Sequence, residues 1–371
     1  LIARDGKFLL KIAEPMDEVL YLDHLRLDVI DHPAGTVVYP DERFTPSGPL
    51  PSQALLAFRN RHFPKSATDH QGRDVTQLVL ERDRRAVDGF ATRSWLGYAE
   101  DHSLTLDFGE VQATDNRKWF LVLAGWTEYP YPESMFAATR AGVELSPPVL
   151  ERFDPITQKW ASVCDLGFPA GLPRVMTREL PNLHAGQMKL RIRTNMQVYW
   201  DQITLAAAED IATVGKVTSL DVASANLLSR GFMREVHPDG RPPVAYDDAK
   251  TEAVAVNRWK GNFTRLGDVT DLLRTADDRF VVCGPGDEIT VGFDAKGLPV
   301  LPAGWERSFV LRTRGYCKDT SVTTVSGRVV GPMPFRAMPN YPAFGSITPP
   351  VTDAAIWNTR PAASGASSRR P

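Results

Sequence analysis

The chain has few cysteines, almost no net charge and no long apolar run, and each shortage excludes a class of protein. Only three of the 371 residues are cysteine, which is too few for a disulfide framework or a metal knuckle. The formal net charge is -2, so no overall field draws the chain to nucleic acid or to an acidic membrane surface. The longest near-continuous apolar stretch, residues 119–126, is far shorter than the roughly 20 residues of a membrane-spanning helix.

The odd number of cysteines leaves at least one thiol unpaired. Two interpretations stay open. Cys283 and Cys317 could form a disulfide between neighbouring strands if the chain is exported, or these two and Cys164 are all buried thiols that pack as small apolar side chains. The chain begins at Leu1 without a basic and apolar leader, so we expect a fragment or a processed product, and export cannot be read directly from the sequence.

The residues that are present favour short strands. Prolines and glycines, 29 and 27 in number, are spread along the chain and interrupt any helical period. Residues 103–108 alternate polar and apolar side chains, and residues 119–126 are apolar on both faces. We therefore expect a mainly β fold of two or three β-sandwich-like units, jelly-roll or immunoglobulin-like, with a short helix and an extended C-terminal tail. Further strands are predicted over residues 149–153, 160–164, 175–180, 188–193 and 198–205.

Four segments are expected along the chain. Residues 1–90 form a β-rich N-terminal region, residues 91–210 a β-sandwich, residues 211–335 a second sandwich-like unit with connecting loops, and residues 336–371 a Pro-rich tail. Helix is expected over 74–87 and 268–275.

Part of the second unit repeats the order of features in the first. An alternating strand, a buried strand, and then glycine, an aromatic residue and a charge occur in both. Two explanations stay open, an internal duplication of sandwich units or the chance similarity of two hairpins of similar length. The corresponding stretches are 104–108, 120–123 and 125–128 in the first unit and 287–293, 307–311 and 315–319 in the second.

The sequence contains no recognisable catalytic constellation. It has no GxSxG elbow, P-loop, dinucleotide fingerprint or EF-hand loop, and its seven histidines lack metal-binding spacing. A hydrolase would require Asp23, His24, Asp31 and His32 to converge, but on a regular strand the two histidines lie roughly 26 Å apart. We therefore expect no catalytic residues, no cofactor and no metal.

Aromatic residues at strand ends are the candidates for binding. Trp126, Tyr129 and Tyr131 follow the buried strand in a Pro-rich loop, and Tyr199 and Trp200 lie in or beside another strand. Flat apolar faces beside amides and carboxylates are typical of carbohydrate-binding surfaces. The same residues would also fill the open ends of a large sandwich, and both interpretations stay open.

The C-terminal tail holds isolated aromatic residues among prolines. Phe335, Tyr341, Phe344 and Trp357 are too scattered to build a core, and the terminal dozen residues are expected to be disordered from their composition. Because isolated aromatic side chains can anchor in a partner's pockets, we expect a protein partner that orders this tail.

Several short motifs between about residue 17 and residue 345 resemble, in the same order, those of a known protein family. They resemble the C-terminal region of large bacterial FG-GAP (VCBS) repeat proteins of the ASPIC/UnbV type. In that family a predicted β-propeller precedes this region and the proteins look exported, but the propeller and its calcium loops are absent here. The resemblance implies a bacterial, extracytoplasmic (periplasmic or cell-surface), β-rich, non-catalytic protein and supplies no site residues. The motifs are DHPAG at 31–35, YPDERF at 39–44, DHQGRDV at 69–75, GW at 125–126, YWDQ at 199–202, GPGDE at 284–288, GYCKD at 315–319 and PFRAM at 334–338.

These expectations combine into one function with two alternatives. We expect a non-catalytic structural or binding subunit of a larger assembly, for example one docked peripherally on a membrane-embedded complex, with no nucleic-acid partner. A carbohydrate-binding module is the first alternative, and a hydrolase is the second.

Overall fold

The computed structural model describes residues 1–45, 49–112, 117–181, 186–237, 245–252, 258–319, 327–342 and 353–362, and they are mainly β. The expected fold class is therefore confirmed. Most strands belong to two β-sandwich-like bodies, which we call the central sandwich and the terminal sandwich. The first thirteen strands are β1 (Lys7–Ala13), β2 (Val19–Pro33), β3 (Val37–Pro40), β4 (Leu55–Phe58), β5 (Arg61–His62), β6 (Ser66–Asp69), β7 (Tyr98–Val111), β8 (Trp119–Thr127), β9 (Val149–Asp154), β10 (Lys159–Asp165), β11 (Gly171–Glu179), β12 (Gly186–Met196) and β13 (Val198–Ala207).

The second half of the chain contributes the remaining strands. They are β14 (Glu209–Asp210), β15 (Lys216–Ser229), β16 (Phe232–Val236), β17 (Ala245–Glu252), β18 (Asn262–Phe263), β19 (Gly267–Asp268), β20 (Val281–Cys283), β21 (Asp287–Asp294), β22 (Trp305–Lys318) and β23 (Arg360–Pro361). Within the described ranges the α-helices are α1 (Pro132–Arg140), α2 (Ile211–Val214) and α3 (Ala354–Trp357), and there are 3₁₀ turns at Thr76–Leu78 and Thr270–Leu272.

The central sandwich is built from the contiguous part of the chain between β5 and β13. A five-stranded sheet of order β10-β9-β12-β7-β6 faces a four-stranded sheet of order β11-β8-β13-β5. Side chains from both sheets share one core, including Leu106, Leu123, Leu190 and Leu205. Every residue of β8 is buried, as a run that is apolar on both faces predicts. The strands predicted between residues 103 and 205 are all present.

The terminal sandwich joins the two ends of the chain. Its strands follow the order β1-β21-β15-β2-β20, with β22 also paired to β2 and β19 also paired to β15. Residues 216–221 of β15 pair with β2 and residues 222–229 pair with β21, and side chains from both parts share a core with Phe8, Leu27 and Val291. The strands of this body therefore come from both the 1–90 and the 211–335 segments expected from the sequence.

The two helices expected from the sequence are reduced to 3₁₀ turns, so those predictions are wrong. In each turn an aspartate carboxylate, Asp74 or Asp268, accepts hydrogen bonds from the backbone N–H and the hydroxyl of the threonine two residues later. This local pairing competes with helix formation. Among the described helices α1 is the longest, and it follows the loop that contains Tyr129 and Tyr131. Pro132 lies in its first turn, where a backbone N–H would have no partner within the helix.

Four strands of each sandwich pair in the same way, and we call this arrangement the shared frame. In the central sandwich β12 pairs with β7 and β13 pairs with β8. In the terminal sandwich β1 pairs with β21 and β2 pairs with β22. Within these ladders Tyr199 lies opposite Trp126, and Tyr21 lies opposite Tyr316. The stretches whose order of features repeats in the sequence therefore occupy corresponding strands.

Candidate functional site

A cleft of about 1030 Å³ lies between the ends of the two sandwiches. The central sandwich contributes the end of β8 and the segment that leads into α1, residues 126–132. The terminal sandwich contributes residues 13–16 and Glu18, at the connection from β1 to β2, and Asp319, directly after β22. Ligand sites are common at junctions between structural units, so this cleft is the candidate site.

One side of the cleft is an aromatic wall formed by Trp126, Tyr129 and Tyr131. The indole of Trp126 is 3% exposed and stacks on Tyr199, with ring centroids 5.4 Å apart. Tyr129 and Tyr131 are partly open to solvent because they lie in the short segment between the end of β8 and Pro132, which starts α1. The wall therefore offers the two accessible tyrosine rings to a ligand, and the indole of Trp126 is buried.

Two polar atoms of this side are buried without a hydrogen-bond partner among the described residues. They are the indole Nε1 of Trp126 and the hydroxyl Oγ1 of Thr127, whose residue is 4% exposed. Nearly all buried polar groups are hydrogen-bonded, and leaving one unpaired costs about 1–3 kcal/mol. Both residues line the cleft, and as neighbours on β8 they direct their side chains to opposite faces of the sheet.

The terminal sandwich contributes an acidic wall formed by Glu14, Glu18 and Asp319. The thiol of Cys317 lies next to this wall, in contact with Glu18, but does not itself line the cleft. Glu14 follows β1 and Glu18 precedes β2, and the register of β2 with β22 places Cys317 beside them. The Cys317 thiol donates a hydrogen bond of 2.7 Å to a Glu18 carboxylate oxygen. One ligand atom from each of Glu14, Glu18 and Cys317 lies within 4.8 Å of the other two.

Burial shifts the protonation of this wall. Burial, opposed by the hydrogen bond from the Met16 backbone N–H and helped by the nearby charge of Glu18, raises the pKa of Glu14 to about 7. Burial is also the main cause that raises the pKa of Glu18 and of the Cys317 thiol. Burial, followed by the charge of Glu18, raises the pKa of Tyr131 in the facing wall. The tyrosine hydroxyl is therefore kept protonated beside the carboxylates.

Acidic side chains outnumber basic ones around the cleft. Glu288 adds to the acidic wall, and Glu128 lies on the aromatic side of the cleft. The one lysine or arginine among the described lining residues is Lys11, whose Nζ is 3.9 Å from a carboxylate oxygen of Glu288. This charge disfavours an anionic ligand, because like charges repel strongly where solvent is partly excluded.

The structure brings together three of the five aromatic residues predicted to bind. Trp126, Tyr129 and Tyr131 line the cleft, whereas Tyr199 lies behind the Trp126 ring and Trp200 is in the core of the central sandwich. Sequence reasoning missed the acidic wall. Its residues have no metal-binding spacing in the sequence, and only the pairing of β2 with β22 brings them together.

The tail aromatics predicted as partner anchors pack mostly against this chain. Phe335 is 4% exposed and Trp357 is 8% exposed, and the Trp357 indole donates a hydrogen bond to the carbonyl of Phe280. The Tyr341 hydroxyl donates to the Pro332 carbonyl at 2.7 Å. Phe344 and the last nine residues lie outside the described residues.

The residues of the hydrolase hypothesis all lie along β2. Asp23 accepts hydrogen bonds from two backbone N–H groups, Asp31 forms two hydrogen bonds with Arg307, and His32 contacts a serine hydroxyl of β22. His24 and His32 are eight positions apart on this strand. Asp23, Asp31 and His32 therefore have separate hydrogen-bond partners, and about 26 Å of regular strand separates His24 from His32, so these four side chains do not converge on one site.

The disulfide interpretation is wrong. Cys283 and Cys317 both pair with Leu20, but from opposite sides of β2, so a whole strand separates them. Two strand spacings are about 10 Å, beyond the Cα separation that a disulfide spans. All three thiols are free, and of the three only Cys283 is fully buried, with Cys164 partly buried and Cys317 exposed.

Comparisons with protein-family models, with characterised proteins and with solved structures found no match to this chain. None of the helices within the described ranges has the length and apolar character needed to cross a bilayer.

Proposed function

We propose that this chain is a binding protein whose cleft holds a carbohydrate or a similar polyhydroxylated molecule. The observation that carries the proposal is the buried, unpartnered indole N–H of Trp126 beside the two accessible tyrosine rings of the aromatic wall. A ligand oxygen that accepts from this N–H satisfies it, and a ligand group that reaches Thr127 can pair with its hydroxyl.

The chemistry of the opposite side narrows the ligand. An anion is disfavoured by the acidic wall, and a purely cationic ligand has no lone pair to accept from Trp126 Nε1. A sugar hydroxyl can donate to a carboxylate on one side and accept from the indole on the other. The accessible rings of Tyr129 and Tyr131 supply flat apolar faces of the kind that pack against sugar rings.

The resemblance to exported repeat proteins agrees with such a role, and on that ground we extend the proposal to an extracytoplasmic location. We propose no partner-docking role for Phe335 or Trp357, because their rings are buried in this chain. The function expected first, a structural subunit, was also based on the lack of catalytic motifs and on the family resemblance, so the buried rings remove only the argument from the tail.

The proposal is tested on an array of defined mono- and oligosaccharides with the purified chain. The variant Tyr131→Ala should lose retention, because a ring that is 47% exposed on the cleft is removed with little effect on the core. Thr127→Val should bind about two- to tenfold more weakly through the loss of one hydrogen bond, while the folded protein keeps its stability because the deleted hydroxyl had no partner.

A matched control is Phe136→Ala on α1, which removes an exposed ring of similar size that does not line the cleft. It should bind as the unmodified chain does. The proposal fails if the folded chain retains no glycan, or if Tyr131→Ala and Phe136→Ala behave alike.

A further inference from the structure

Five large apolar side chains line the cleft in addition to the two tyrosines of the aromatic wall, and all five are open to solvent. They come from five separate parts of the chain, and each is between 40% and 50% exposed: Met16, Phe44, Leu96, Met135 and Leu172. Single exposed apolar side chains are normal on a protein surface, but several that share one concave site mark a binding surface. We call these five side chains the apolar lining.

Part of the apolar lining is held in position by the fold. Phe44 exchanges two backbone hydrogen bonds with Phe168, of 3.2 and 3.0 Å. The ring of Phe44 contacts the buried ring of Phe168 and the accessible ring of Tyr129, with centroids 5.0 and 5.8 Å away. This part of the surface is therefore in place before a ligand arrives, and a pre-organised surface loses little entropy on binding.

A sugar alone would leave the apolar lining uncovered. Its hydroxyls gain no hydrogen bonds from these side chains, and a hydroxyl that leaves water without a new partner weakens binding. The cleft of about 1030 Å³ is also at the upper end of the range of about 300–1,000 Å³ for small-molecule sites. The space and the lining both fit a ligand whose hydroxylated part carries an apolar group.

The charge of the cleft selects among apolar groups. Fatty acids and phospholipids carry anionic groups, which Glu14, Glu18 and Asp319 would repel. An uncharged alkyl or aryl substituent meets no such repulsion. The flexible thioether side chains of Met16 and Met135 can adapt to apolar groups of different shape.

We propose that the ligand is an uncharged glycoside with an apolar aglycone, an inference that rests on the carbohydrate binding proposed above. The sugar lies between the aromatic wall and the acidic wall, where an oxygen accepts from the indole N–H of Trp126 and other hydroxyls donate to carboxylates. The aglycone covers the apolar lining, and the burial of both apolar surfaces supplies affinity that hydroxyl groups do not.

The first test compares glycosides that differ only in the aglycone. Binding of the methyl, octyl and phenyl β-glycosides of glucose, galactose, mannose and N-acetylglucosamine is measured by calorimetry, at concentrations at which each compound is monomeric. For at least one sugar, the octyl glycoside should bind at least about tenfold more tightly than the methyl glycoside, which corresponds to the burial of about two methylene groups. The phenyl glycosides distinguish an aryl from an alkyl aglycone.

A variant of the apolar lining locates the aglycone. Leu172→Asn replaces an exposed apolar side chain with a polar one of similar size. It should lower the ratio of octyl to methyl glycoside affinity about threefold or more and leave the affinity for the methyl glycoside unchanged. The matched control is Leu266→Asn, at a leucine that is 45% exposed outside the cleft, and it should keep the ratio.

The proposal is overturned if no octyl or phenyl glycoside binds more tightly than its methyl counterpart, or if Leu172→Asn and Leu266→Asn behave alike. Neither result contradicts the retention of unsubstituted sugars on the array, which tests the carbohydrate proposal separately. The octyl ether of pentaethylene glycol has the same chain but no sugar. If it binds as tightly as the octyl glycosides, the sugar is not recognised and both proposals fail.

Discussion

In both sandwiches a buried aspartate in an irregular stretch of strand accepts hydrogen bonds from two consecutive backbone N–H groups of a tight turn. Asp201 binds the N–H groups of residues 83 and 84 at 3.2 and 2.9 Å, and Asp23 binds those of residues 277 and 278 at 3.0 and 2.8 Å. The second residue of each turn, Arg84 or Asp278, has a positive φ, 69° and 66° respectively. Such detailed agreement between the two bodies supports an internal duplication rather than a chance similarity of hairpins.

The two bodies differ in how the chain reaches the shared frame. In the central sandwich β12 and β13 follow β7 and β8, whereas in the terminal sandwich the corresponding β1 and β2 come first and β21 and β22 come last. The terminal sandwich therefore forms only when the two ends of the chain meet. Closing so long a loop costs more chain entropy than closing the contiguous central body, and long-range pairing of this kind slows folding.

They also differ where they meet. At the corresponding ends of the paired strands the central sandwich carries threonine, including Thr127, whereas the terminal sandwich carries Glu14 and Cys317. The shared positions, such as Asp23 and Asp201, hold turns and strands together. Of the positions that differ, Glu14 and Thr127 line the cleft, so a comparison within one chain helps to separate residues that maintain the fold from residues available for binding.

The largest expected effect comes from adding a methyl group at Gly125 or Gly315, where the backbone of the neighbouring strand leaves no room for a Cβ. A Cβ added at Gly125 would lie 2.3 Å from the carbonyl oxygen of Tyr199, and one at Gly315 would lie 2.2 Å from that of Tyr21. Because the neighbouring strand must move, Gly125→Ala and Gly315→Ala should each lower the free energy of unfolding by about 3 kcal/mol. Urea unfolding followed by tryptophan fluorescence measures this.

Gly297→Ala serves as the control, because no atom lies within 4 Å of its added Cβ, and its effect should stay within about 0.5 kcal/mol. A cost at Gly125 or Gly315 no larger than at Gly297 would show that these close approaches are not part of a shared frame.

A smaller effect is expected at the paired aspartates. Asp23→Ala and Asp201→Ala each leave two backbone N–H groups buried without their acceptor, so each should lower the free energy of unfolding by about 2 kcal/mol. Asn at either position keeps an oxygen acceptor and should restore most of the loss. If Asn is as damaging as Ala in urea unfolding, the role assigned to the side-chain oxygen is wrong.

The sequence is sufficient for the parts of the molecule that depend on local pattern. Strands such as β8 follow from a run of apolar side chains, and the aromatic wall follows from Trp126 and the two tyrosines beyond the end of that strand. Trp200 is a poor candidate for ligand binding. Neighbouring side chains of a strand point to opposite faces, so with Tyr199 stacked on Trp126 the Trp200 side chain points into the core.

The rest depends on pairing between distant strands. Nothing near Glu14 or Glu18 in the sequence indicates that Cys317 lies beside them, because the register of β2 with β22 is a property of the whole sheet. The expected helices failed for the opposite reason. The helical spacing of apolar residues is real, but the side chains of Asp74 and Asp268 capture the backbone groups that a helix would use.

The smallest effect is the pH dependence that His102 contributes to the stability of the central sandwich. Burial, together with the charge of His70 and against hydrogen bonding to the Glu100 carbonyl, lowers the pKa of His102 below the model-compound value of 6.5. The unfolded chain therefore binds a proton more readily than the folded one, and the contribution of His102 to stability is lost as pH falls below about 6.5.

The strand frame places Asp287 of the terminal sandwich at the corresponding position, where there is no imidazole to titrate. Between about pH 7.5 and about pH 5.5, the urea midpoint of His102→Gln should fall less than that of the unmodified chain. Equal falls in the two proteins would mean that the imidazole, stacked on Phe90 with ring centroids 4.3 Å apart, accepts its proton in the folded state as easily as in the unfolded one.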